Sequence, residues 1–342
     1  MRVAVLGGGG WGTTLALILE SKDHEVRLWV YEADEAERMD RTRENTTFLP
    51  GVTIPSRIRI TNQLAEAAPS AEMIVLATPS RVLRDVAQSL LAHAGPHLQT
   101  ARAIVIGSKG LEPKTLLRMS EVLAEVLPEP LTPKVVVLTG PSHAEEVSRR
   151  VPTAVVAASS LAASAALVQE AFSTEWFRVY TNDDVTGVEI AAALKNVVAI
   201  AAGICDGLGF GDSTKGALLT RGLVEISRLG EALGARASTF SGLAGMGDLI
   251  ATAMSRHSRN RRLGEAVGRG MKLEEALASS KMVVEGVGTA HAAVDLARRH
   301  GVELPIAEQV RAILYDGKSA TTAIRELLTR DLKAEPRALT RR

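Results

Sequence analysis

The stretch Val3-Ala4-Val5-Leu6-Gly7-Gly8-Gly9-Gly10-Trp11-Gly12-Thr13 decides the fold of the first half of the chain. An apolar run of strand type leads into G-x-G-x-x-G, with Gly7, Gly9 and Gly12 in the three glycine positions, and a periodic apolar segment (13–20) follows. A motif placed between a strand and a helix predicts a turn where the backbone approaches a pyrophosphate at a helix N-terminus. A flexible glycine loop is the alternative.

An acidic residue follows the second predicted strand, which covers residues 25–30. Glu32 lies twenty residues after Gly12. At that place a carboxylate binds the adenosine ribose 2′-hydroxyl of NAD, whereas an arginine favours the 2′-phosphate of NADP. Residues 31–35 contain no basic side chain. The sequence therefore favours NAD, with NADP possible, and a solvated loop acid is the alternative for Glu32.

The chain changes character near residue 182. Before it, apolar or β-branched runs alternate with helical patterns such as 81–94 and 114–127, which predicts an α/β Rossmann-type domain with a mostly parallel sheet over residues 1–182. After it, residues 183–342 predict an all-α domain that ends in a frayed tail from residue 330. The other predicted strands are 73–77, 103–107, 135–139, 154–157 and 177–180, and the later helices are 185–202, 215–233, 262–268, 273–280, 289–300, 306–315 and 320–328.

The composition excludes several classes of protein. The net charge is +1 and aromatic residues are 3% of the chain, so neither nucleic acid nor an anionic membrane is an expected partner. Cys205 is the only cysteine, which fits a reducing compartment. The apolar run at residues 3–6 is too short for a signal peptide, and we expect residues 190–204 to be too short and too interrupted for a membrane span. A cytoplasmic protein is predicted.

One lysine interrupts the most apolar segment, Ile190-Ala191-Ala192-Ala193-Leu194-Lys195-Asn196-Val197-Val198-Ala199-Ile200-Ala201-Ala202. No face of this helix is polar, so the pattern predicts a buried helix. Burial of an ammonium costs several kcal/mol unless it is paired, and it lowers the lysine pKa toward the range of proton exchange. Asp248, an acid among apolar residues, is a candidate partner. A snorkelling lysine or a structural ion pair is the alternative.

Two loops follow predicted strands, where open α/β sheets bind their ligands. Lys109, in the loop 107–110, is placed to reach a substrate, and a surface lysine is the alternative. The loop 140–144 offers backbone N–H groups and the Ser142 hydroxyl to an anion or a carbonyl. His143 is a candidate base, although a lone histidine beside a helix start is more often structural.

Residues 255–262 form the densest basic run. Ser258, Arg259 and Asn260 offer hydroxyl, guanidinium and amide donors, a set that suits a phosphate monoester. A solvated helix start and a nucleic-acid patch are the alternatives, and the second is disfavoured by Glu265 and by the near-neutral chain.

Together these segments resemble the NAD(P)-dependent sn-glycerol-3-phosphate dehydrogenase family from Val3 to about Leu328. The resemblance implies reduction of dihydroxyacetone phosphate to sn-glycerol 3-phosphate for glycerophospholipid synthesis, by a Rossmann-type domain followed by a helical domain, usually in a homodimer. The segments that carry it are 7–13, 45–51, 107–110, 140–146, 193–196, 243–249, 258–263 and 283–286.

The resemblance also implies roles for residues. The catalytic lysine of the family matches Lys195, as general acid for the ketone oxygen and base in reverse. The family's substrate positions fall on Lys109, Gly140, Ser142, Asp248, Ser258, Arg259 and Asn260. Its cofactor positions fall on Gly10, Trp11, Lys109, Ala144, Arg259, Val283 and Glu285.

The resulting hypothesis is direct hydride transfer to the carbonyl carbon while Lys195 donates a proton to the developing alkoxide. Asp248 would orient the ammonium, and Lys109 would polarise or hold the substrate oxygens. Arg259, with Asn260 and Asn196, would hold the phosphate. No metal is required, and His143, His257, His291 and His300 show no ligand spacing.

Two departures from the family pattern concern the cofactor. This chain has Gly10 where bacterial-type members often carry serine, which changes one pyrophosphate contact. It has Tyr31 and Glu32 where they commonly carry histidine or arginine, which favours NAD.

Two other functions remain open. A ketopantoate reductase or 3-hydroxyacid dehydrogenase shares the two-domain plan and the second-domain lysine, but needs a carboxylate clamp. A non-catalytic NAD(H)-sensing protein would keep the glycine turn and would need neither Lys195 nor Asp248.

Overall fold

A computed structural model describes residues 1–278, 283–332 and 334–335. Among these residues, eight strands form one sheet in the order β10-β9-β8-β7-β6-β1-β2-β5, and β3 and β4 form a separate hairpin. The strands are β1 (Arg2–Leu6), β2 (Glu25–Trp29), β3 (Glu44–Asn45), β4 (Leu49–Thr53), β5 (Arg59–Thr61), β6 (Met73–Leu76), β7 (Ala103–Ile106), β8 (Val135–Thr139), β9 (Thr153–Ala158) and β10 (Phe177–Asn182).

The sheet confirms the predicted Rossmann-type class. Its neighbouring strands are parallel except for the antiparallel pair β8–β9. The chain leaves β1 toward β2 and β5, then returns to β6 on the other side of β1, so the strand order reverses there. A crevice opens beyond the carboxyl ends of strands at such a reversal, which is where open α/β sheets bind ligands.

The central strands are buried on both faces, which is why they read as unbroken apolar runs. In β1, Ala4 and Leu6 pack into one core layer, whereas Val3 and Val5 pack into the layer on the opposite face. Both faces of a parallel sheet are covered by helices, so the side chains on each face must be apolar.

Helices cover the sheet and build the second half. In the first half they are α1 (Gly10–Ser21), α2 (Ala33–Thr42), α3 (Leu64–Ala67), α4 (Leu83–Ala94), α5 (Met119–Val126), α6 (Ala144–Val147) and α7 (Ala162–Phe172). In the second half they are α8 (Val185–Gly207), α9 (Asp212–Ala232), α10 (Ala237–Phe240), α11 (Asp248–Met254), α12 (Arg259–Gly268), α13 (Leu273–Ala278), α14 (Glu285–Arg299), α15 (Pro305–Tyr315) and α16 (Ala320–Leu328), with a π-helical turn, Leu243–Gly247, before α11.

One predicted helix begins later than expected. The pattern predicts a helix over 114–127, but α5 begins at Met119. The preceding residues form a tight turn, because Leu116 has φ +65° and Leu111 pairs with Arg118 in a β-bridge. A helix cannot pass through a residue in the left-handed region.

The prediction missed several elements, among them α2, α7 and the hairpin β3–β4. The sequence of α2, ADEAERMDRT, buries Ala36 and Met39 alone, so its apolar stripe is too thin to show as a helical period.

Two predictions reach beyond the described residues. Residues 279–280 of the predicted helix 273–280 lie outside them. The predicted tail is exposed at residues 330–332, 334 and 335, and its remainder lies outside them.

Helix α8 forms the centre of the helical half. The expectation that this segment is too short for a membrane span was wrong, because the helix extends beyond residues 190–204 at both ends. It has 23 residues, and an 18-residue window of mean hydropathy 1.8 is long and apolar enough to cross a membrane by length and composition alone. The whole window is buried within the protein, against α9, α11, α12, α14 and α15. This is the arrangement of a core helix.

Glycines bring α8 and α12 into backbone contact. A Cβ on Gly203 would lie 1.9 Å from the carbonyl oxygen of Arg261, and one on Gly264 would lie 2.0 Å from that of Ile200. Gly207 and Gly268 repeat the arrangement one turn along. The two helices therefore approach more closely than any side chain would allow, and this sets the start of α12 beside the middle of α8.

Candidate active site

The glycine turn has the geometry of a pyrophosphate cradle. Gly7 has φ +127°, and a Cβ there would lie 2.6 Å from the carbonyl oxygen of Ala77 on the neighbouring strand end. A Cβ on Gly12 would lie 1.9 Å from the carbonyl oxygen of Gly7, so Gly12 permits the close packing of α1 on the turn. Gly9 has no atom within 4 Å of its Cβ position. The turn is thus open where a phosphate would approach, at the N-terminus of α1.

The hairpin β3–β4 closes over this turn. Asn45 donates through Nδ2 to the Gly8 carbonyl (2.8 Å) and to Thr13 Oγ1 (2.9 Å), and its Oδ1 accepts from the Phe48 N–H (3.0 Å). A Cβ on Gly10 would lie 2.6 Å from the Phe48 carbonyl oxygen. A serine at this position would therefore require the hairpin to move.

Glu32 lies at the far end of the same cleft. It precedes α2, is exposed, and lines the cavity beside Trp29 and Tyr31. Arg38, the basic side chain of α2 nearest in sequence, donates to Glu35 and to Thr47 Oγ1. Its charge is thus paired, and Glu32 is left as the charged group lining the cavity at the end of β2.

One cavity of about 810 Å³ joins the two halves of the chain. It runs from the glycine turn to α8 and the start of α12, and it brings together most residues that the sequence singled out. Predicted residues that line it are Gly7, Gly9, Gly10, Trp11, Glu32, Lys109, Ser142, His143, Ala144, Lys195, Asn196, Asp248, Ser258, Arg259, Asn260, Val283 and Glu285. Gly12 and Gly140 lie behind this wall.

Three charged side chains meet at the inner end of the cavity. Lys195 Nζ lies 2.9 Å from Asp248 Oδ1, and Lys109 Nζ lies 2.8 Å from Asp248 Oδ2. Lys109 also donates to the Gly140 carbonyl at 3.1 Å, and Lys195 donates to Thr252 Oγ1 at 2.6 Å. The structure therefore pairs Lys195 with Asp248, as the sequence suggested, and adds Lys109 to the same carboxylate.

Burial changes the proton affinity of this cluster. Burial is the main reason that the pKa of Lys195 falls from 10.5 to about 8, since the charges of Lys109 and Arg259 add to it while Asp248 opposes it. Burial would raise the pKa of Asp248, but the two ammonium groups outweigh it and hold that pKa below its ordinary value. A cationic acid of near-neutral pKa beside a fixed anion is suited to proton transfer.

The start of α12 faces the cavity with several donors. Ser258 is the N-cap residue, since its side chain accepts from the Arg261 N–H at 3.2 Å. Arg259 donates through Nη1 to the Val283 carbonyl at 2.8 Å, which leaves the rest of its guanidinium toward the cavity. A guanidinium at a helix N-terminus is an anion-binding arrangement.

The side-chain amide of Asn260 already makes two hydrogen bonds within the protein. Its Nδ2 donates to Asn196 Oδ1 at 2.9 Å, and its Oδ1 accepts from the Gly286 N–H at 2.9 Å. An amide nitrogen carries two hydrogens, so one donor remains for a ligand. The same contacts fix Asn196 beside Lys195 on α8.

In the loop after β8, the two side chains that the sequence offered to a ligand already make contacts within the protein. Ser142 donates to the Gly140 carbonyl at 3.0 Å. His143 Nε2 lies 3.3 Å from the Ala251 carbonyl oxygen, and burial lowers the pKa of its imidazole. That contact fits the structural alternative for His143, although the ring lines the cavity.

Sequence reasoning missed several groups at the site. Thr252 lies four residues after Asp248 on α11, a helical spacing that could have revealed it. Ser80 reaches Glu285 across 205 positions of sequence, and no local signal predicts that contact. Thr78 was also missed, and it lines the cavity beside the predicted Trp11. The buried atoms Thr78 Oγ1 and Trp11 Nε1 have no partner in the part of the chain that the structure describes. Because buried polar groups seldom lack partners, these two fit a polar ligand in the cleft.

The Rossmann-type sheet has a glycine cradle, and a buried lysine–carboxylate cluster lies at the inner end of the same cleft. Together they define a two-domain nicotinamide-dependent dehydrogenase. Within the described residues, no group of three His, Cys, Asp or Glu side chains is placed to hold a metal ion.

Comparisons with known proteins agree with this class. The model of the NAD-dependent glycerol-3-phosphate dehydrogenase N-terminus matches residues 2–165, and the model of its C-terminus matches residues 184–325. The chain is 52% identical to a glycerol-3-phosphate dehydrogenase (NAD(P)+) of Geobacter sulfurreducens and 51% identical to one of Citrifermentans bemidjiense, over 98% of each chain. A crystal structure of glycerol-3-phosphate dehydrogenase from Coxiella burnetii superposes with TM-score 0.91 at 36% identity, over 96% of this chain and 99% of that one.

The chain therefore belongs to the NAD-dependent glycerol-3-phosphate dehydrogenase family. This confirms the resemblance stated from the sequence, the predicted enzyme class and the predicted cofactor class.

Proposed function

We propose that this protein reduces dihydroxyacetone phosphate to sn-glycerol 3-phosphate, reversibly, with a reduced nicotinamide dinucleotide. The single observation that carries the proposal is the Lys195–Asp248–Lys109 cluster at the end of the cleft that starts at the glycine turn. The cluster supplies a proton donor, and the neighbouring start of α12 supplies donors for a phosphate.

The residues of the cleft fit the dinucleotide. Gly7, Gly9 and Gly12, with the N–H groups at Gly10 and Trp11, would hold the pyrophosphate at the start of α1. Ala144, Lys109, Arg259, Val283 and Glu285 would line the remainder of the site. When bound, the reduced nicotinamide supplies the hydride that the carbonyl carbon accepts.

We further propose that the cofactor is NAD rather than NADP. Glu32 would accept hydrogen bonds from the adenosine ribose hydroxyls, and its charge would repel a 2′-phosphate. The pairing of Arg38 with Glu35 supports this, since it removes the nearby cation that a 2′-phosphate would need.

Lys195 would act as the general acid. Its ammonium is held by Asp248 and Thr252, and its lowered pKa allows it to release a proton to the developing alkoxide near neutral pH. In the reverse direction the neutral amine would take the hydroxyl proton. Asp248 orients the ammonium and offsets its desolvation.

The substrate would be held by groups on both halves of the chain. Lys109 and Ser142 would contact its oxygens from the sheet side, with the Gly140 carbonyl behind them accepting from both side chains. Arg259, with Ser258, Asn260 and Asn196, would hold its phosphate from the helical side. Binding energy from the phosphate would fix the carbonyl for reaction, and this raises the rate through positioning.

Four further points belong to the same proposal. The dinucleotide domain covers residues 1–182 and the helical domain residues 183–342. The protein acts as a homodimer, lies in the cytoplasm, and supplies glycerol phosphate for glycerophospholipids.

The test is the initial rate of cofactor oxidation with dihydroxyacetone phosphate, run with NADH and NADPH in parallel. Turnover that is faster with NADH would support both the reaction and the role of Glu32. No turnover, despite cofactor binding, would contradict the substrate assignment. A panel of 2-oxo and 3-oxo acids would then separate a carboxylate-substrate dehydrogenase from a non-catalytic NAD(H)-sensing protein.

A further inference from the structure

Two glutamates of the helical half each accept the N–H and the hydroxyl of one serine of the sheet half. Glu189 differs in that it also accepts from Arg118 Nη1 at 2.7 Å. Ser80 donates its N–H to Glu285 Oε1 (3.1 Å) and its hydroxyl to Glu285 Oε2 (2.6 Å). Ser120 donates its N–H to Glu189 Oε1 (2.8 Å) and its hydroxyl to Glu189 Oε2 (2.5 Å). Each serine thus binds both oxygens of one carboxylate. Glu285 lines the cavity, whereas the Ser120–Glu189 pair lies away from it.

The Ser80–Glu285 contact packs against the loop that carries Lys109. Gly110 has φ +149°, and a Cβ there would lie 2.6 Å from Ser80 Oγ and 3.5 Å from Glu285 Oε2. A glycine is therefore required for this approach, both by its backbone conformation and by the lack of space. The position of the Lys109 loop is tied to the serine and the glutamate together.

The other side of the contact reaches the start of α12. Val283, two residues before Glu285, accepts from Arg259 Nη1 at 2.8 Å. Gly286, the residue after Glu285, donates its N–H to Asn260 Oδ1 at 2.9 Å. Movement of Glu285 would therefore be transmitted to both donors at the start of α12.

We infer that Ser80 is a positioning residue, which holds Glu285 so that the Lys109 loop and Arg259 keep a fixed separation across the cleft. Ser80 does not itself line the cavity, so it acts through Glu285. The inference rests on the proposed function for the identity of the substrate that Lys109 and Arg259 hold.

The test compares Ser80→Ala with Ser120→Ala, a matched control. Each variant loses one hydroxyl that donates to a carboxylate between the two halves, so both should lower Tm. Ser120→Ala should lower it no more than Ser80→Ala does, because Glu189 keeps Arg118 as a partner. In Ser80→Ala we expect kcat/KM for dihydroxyacetone phosphate to fall about tenfold, the effect of one hydrogen bond to a charged group, whereas in Ser120→Ala it should stay within about twofold. Equal effects of the two variants on kcat/KM would overturn the inference.

A double-mutant cycle tests whether the serine acts through the glutamate. In a Glu285→Ala background, Ser80→Ala should cause no further loss of kcat/KM, and a full additional loss would contradict the inference. Should the wild-type protein fail to reduce dihydroxyacetone phosphate, the proposed function fails, and hydrogen exchange still tests the contact. Faster exchange at residues 107–110 and 284–287 in Ser80→Ala than in Ser120→Ala would support it, and equal exchange would overturn it.

Discussion

Lys195 Nζ lies 2.9 Å from Asp248 Oδ1, and both side chains are almost completely buried, with 7% and 2% of their surface exposed. A buried ion pair is weak support for stability, because desolvation offsets much of its attraction. Here Asp248 serves two lysines, so loss of Lys195 leaves the carboxylate paired with Lys109. The geometry therefore permits removal of the proposed acid without leaving an uncompensated charge in the interior.

The two directions of the reaction should respond to pH in opposite ways. Burial brings the pKa of Lys195 to about 8, with Lys109, Arg259 and Asp248 as the charged groups around it. Reduction needs the ammonium, so its kcat should fall as pH rises through about 8, while kcat for oxidation should rise over the same range. Initial rates in both directions across this range measure it, and a reduction rate that stays level would contradict the assignment.

Removal of Arg259 should weaken binding of the phosphate. Arg259→Ala should raise KM for dihydroxyacetone phosphate about a hundredfold, because the charge-assisted hydrogen bonds of a guanidinium are lost. Unphosphorylated dihydroxyacetone is the matched control. Its kcat/KM should barely change when NADH is saturating, a condition needed because Arg259 also lines the proposed dinucleotide site. Arg259→Lys should fall between, since it keeps the charge without the planar fork. An unchanged KM in Arg259→Ala would remove this residue from the phosphate site.

Because glycines bring α8 and α12 into backbone contact, a Gly→Ala substitution there should have the opposite effect on stability from the same substitution at an exposed glycine. Gly203→Ala would place a methyl group 1.9 Å from the Arg261 carbonyl oxygen, so it should destabilise the protein by about 3 kcal/mol or more, since backbone atoms must move apart. Gly216→Ala, on α9, meets no atom within 4 Å and should stabilise it by about 0.5–1 kcal/mol. Urea unfolding measures both. Equal effects would show that the close approach of the helices is not required.

Glu225 should make stability depend on pH. Its carboxylate accepts from the Ile306 N–H at 2.8 Å, at the start of α15, and burial raises its pKa from 4.5 to about 7. The folded state then binds more protons than the unfolded state between those values. The free energy of unfolding should therefore fall by about 3 kcal/mol as pH rises from 4.5 to 7, at 1.36 kcal/mol per pKa unit.

The variant Glu225→Gln should flatten that dependence, since a glutamine keeps an acceptor and cannot ionise. Glu170→Gln, at an exposed position of α7, is the control and should leave the slope unchanged. Urea unfolding at several pH values measures all three proteins. A slope in Glu225→Gln that equals the wild-type slope would assign the pH dependence to other groups.

The sheet could be predicted because each of its central strands is recognisable from its own residues. Strands such as β6 and β8 are buried on both faces, so each is an unbroken apolar run. The short β5 and the hairpin β3–β4 could not be predicted in this way. β4 has the sequence LPGVT and buries Leu49 alone, and its place depends on Asn45 reaching the glycine turn.

The site could be predicted as far as single residues stand out from their surroundings. Lys195 and Asp248 do so, as charges in apolar segments, and their pairing could be suggested. The contacts of Lys109 with Asp248 and of Ser80 with Glu285 join residues 139 and 205 positions apart. Such contacts follow from the packing of the two halves, which no short pattern encodes.

The most direct test of the central claim is the turnover of Lys195→Ala with dihydroxyacetone phosphate, measured beside its affinity for NADH. Because Asp248 keeps Lys109 as a partner, the variant should fold and bind NADH as the wild type does. Its turnover should fall by about three orders of magnitude, since general acid catalysis contributes roughly 10²–10⁴-fold. Turnover within about tenfold of the wild type, with NADH binding intact, would lie below that range and would contradict the assignment of Lys195 as the acid.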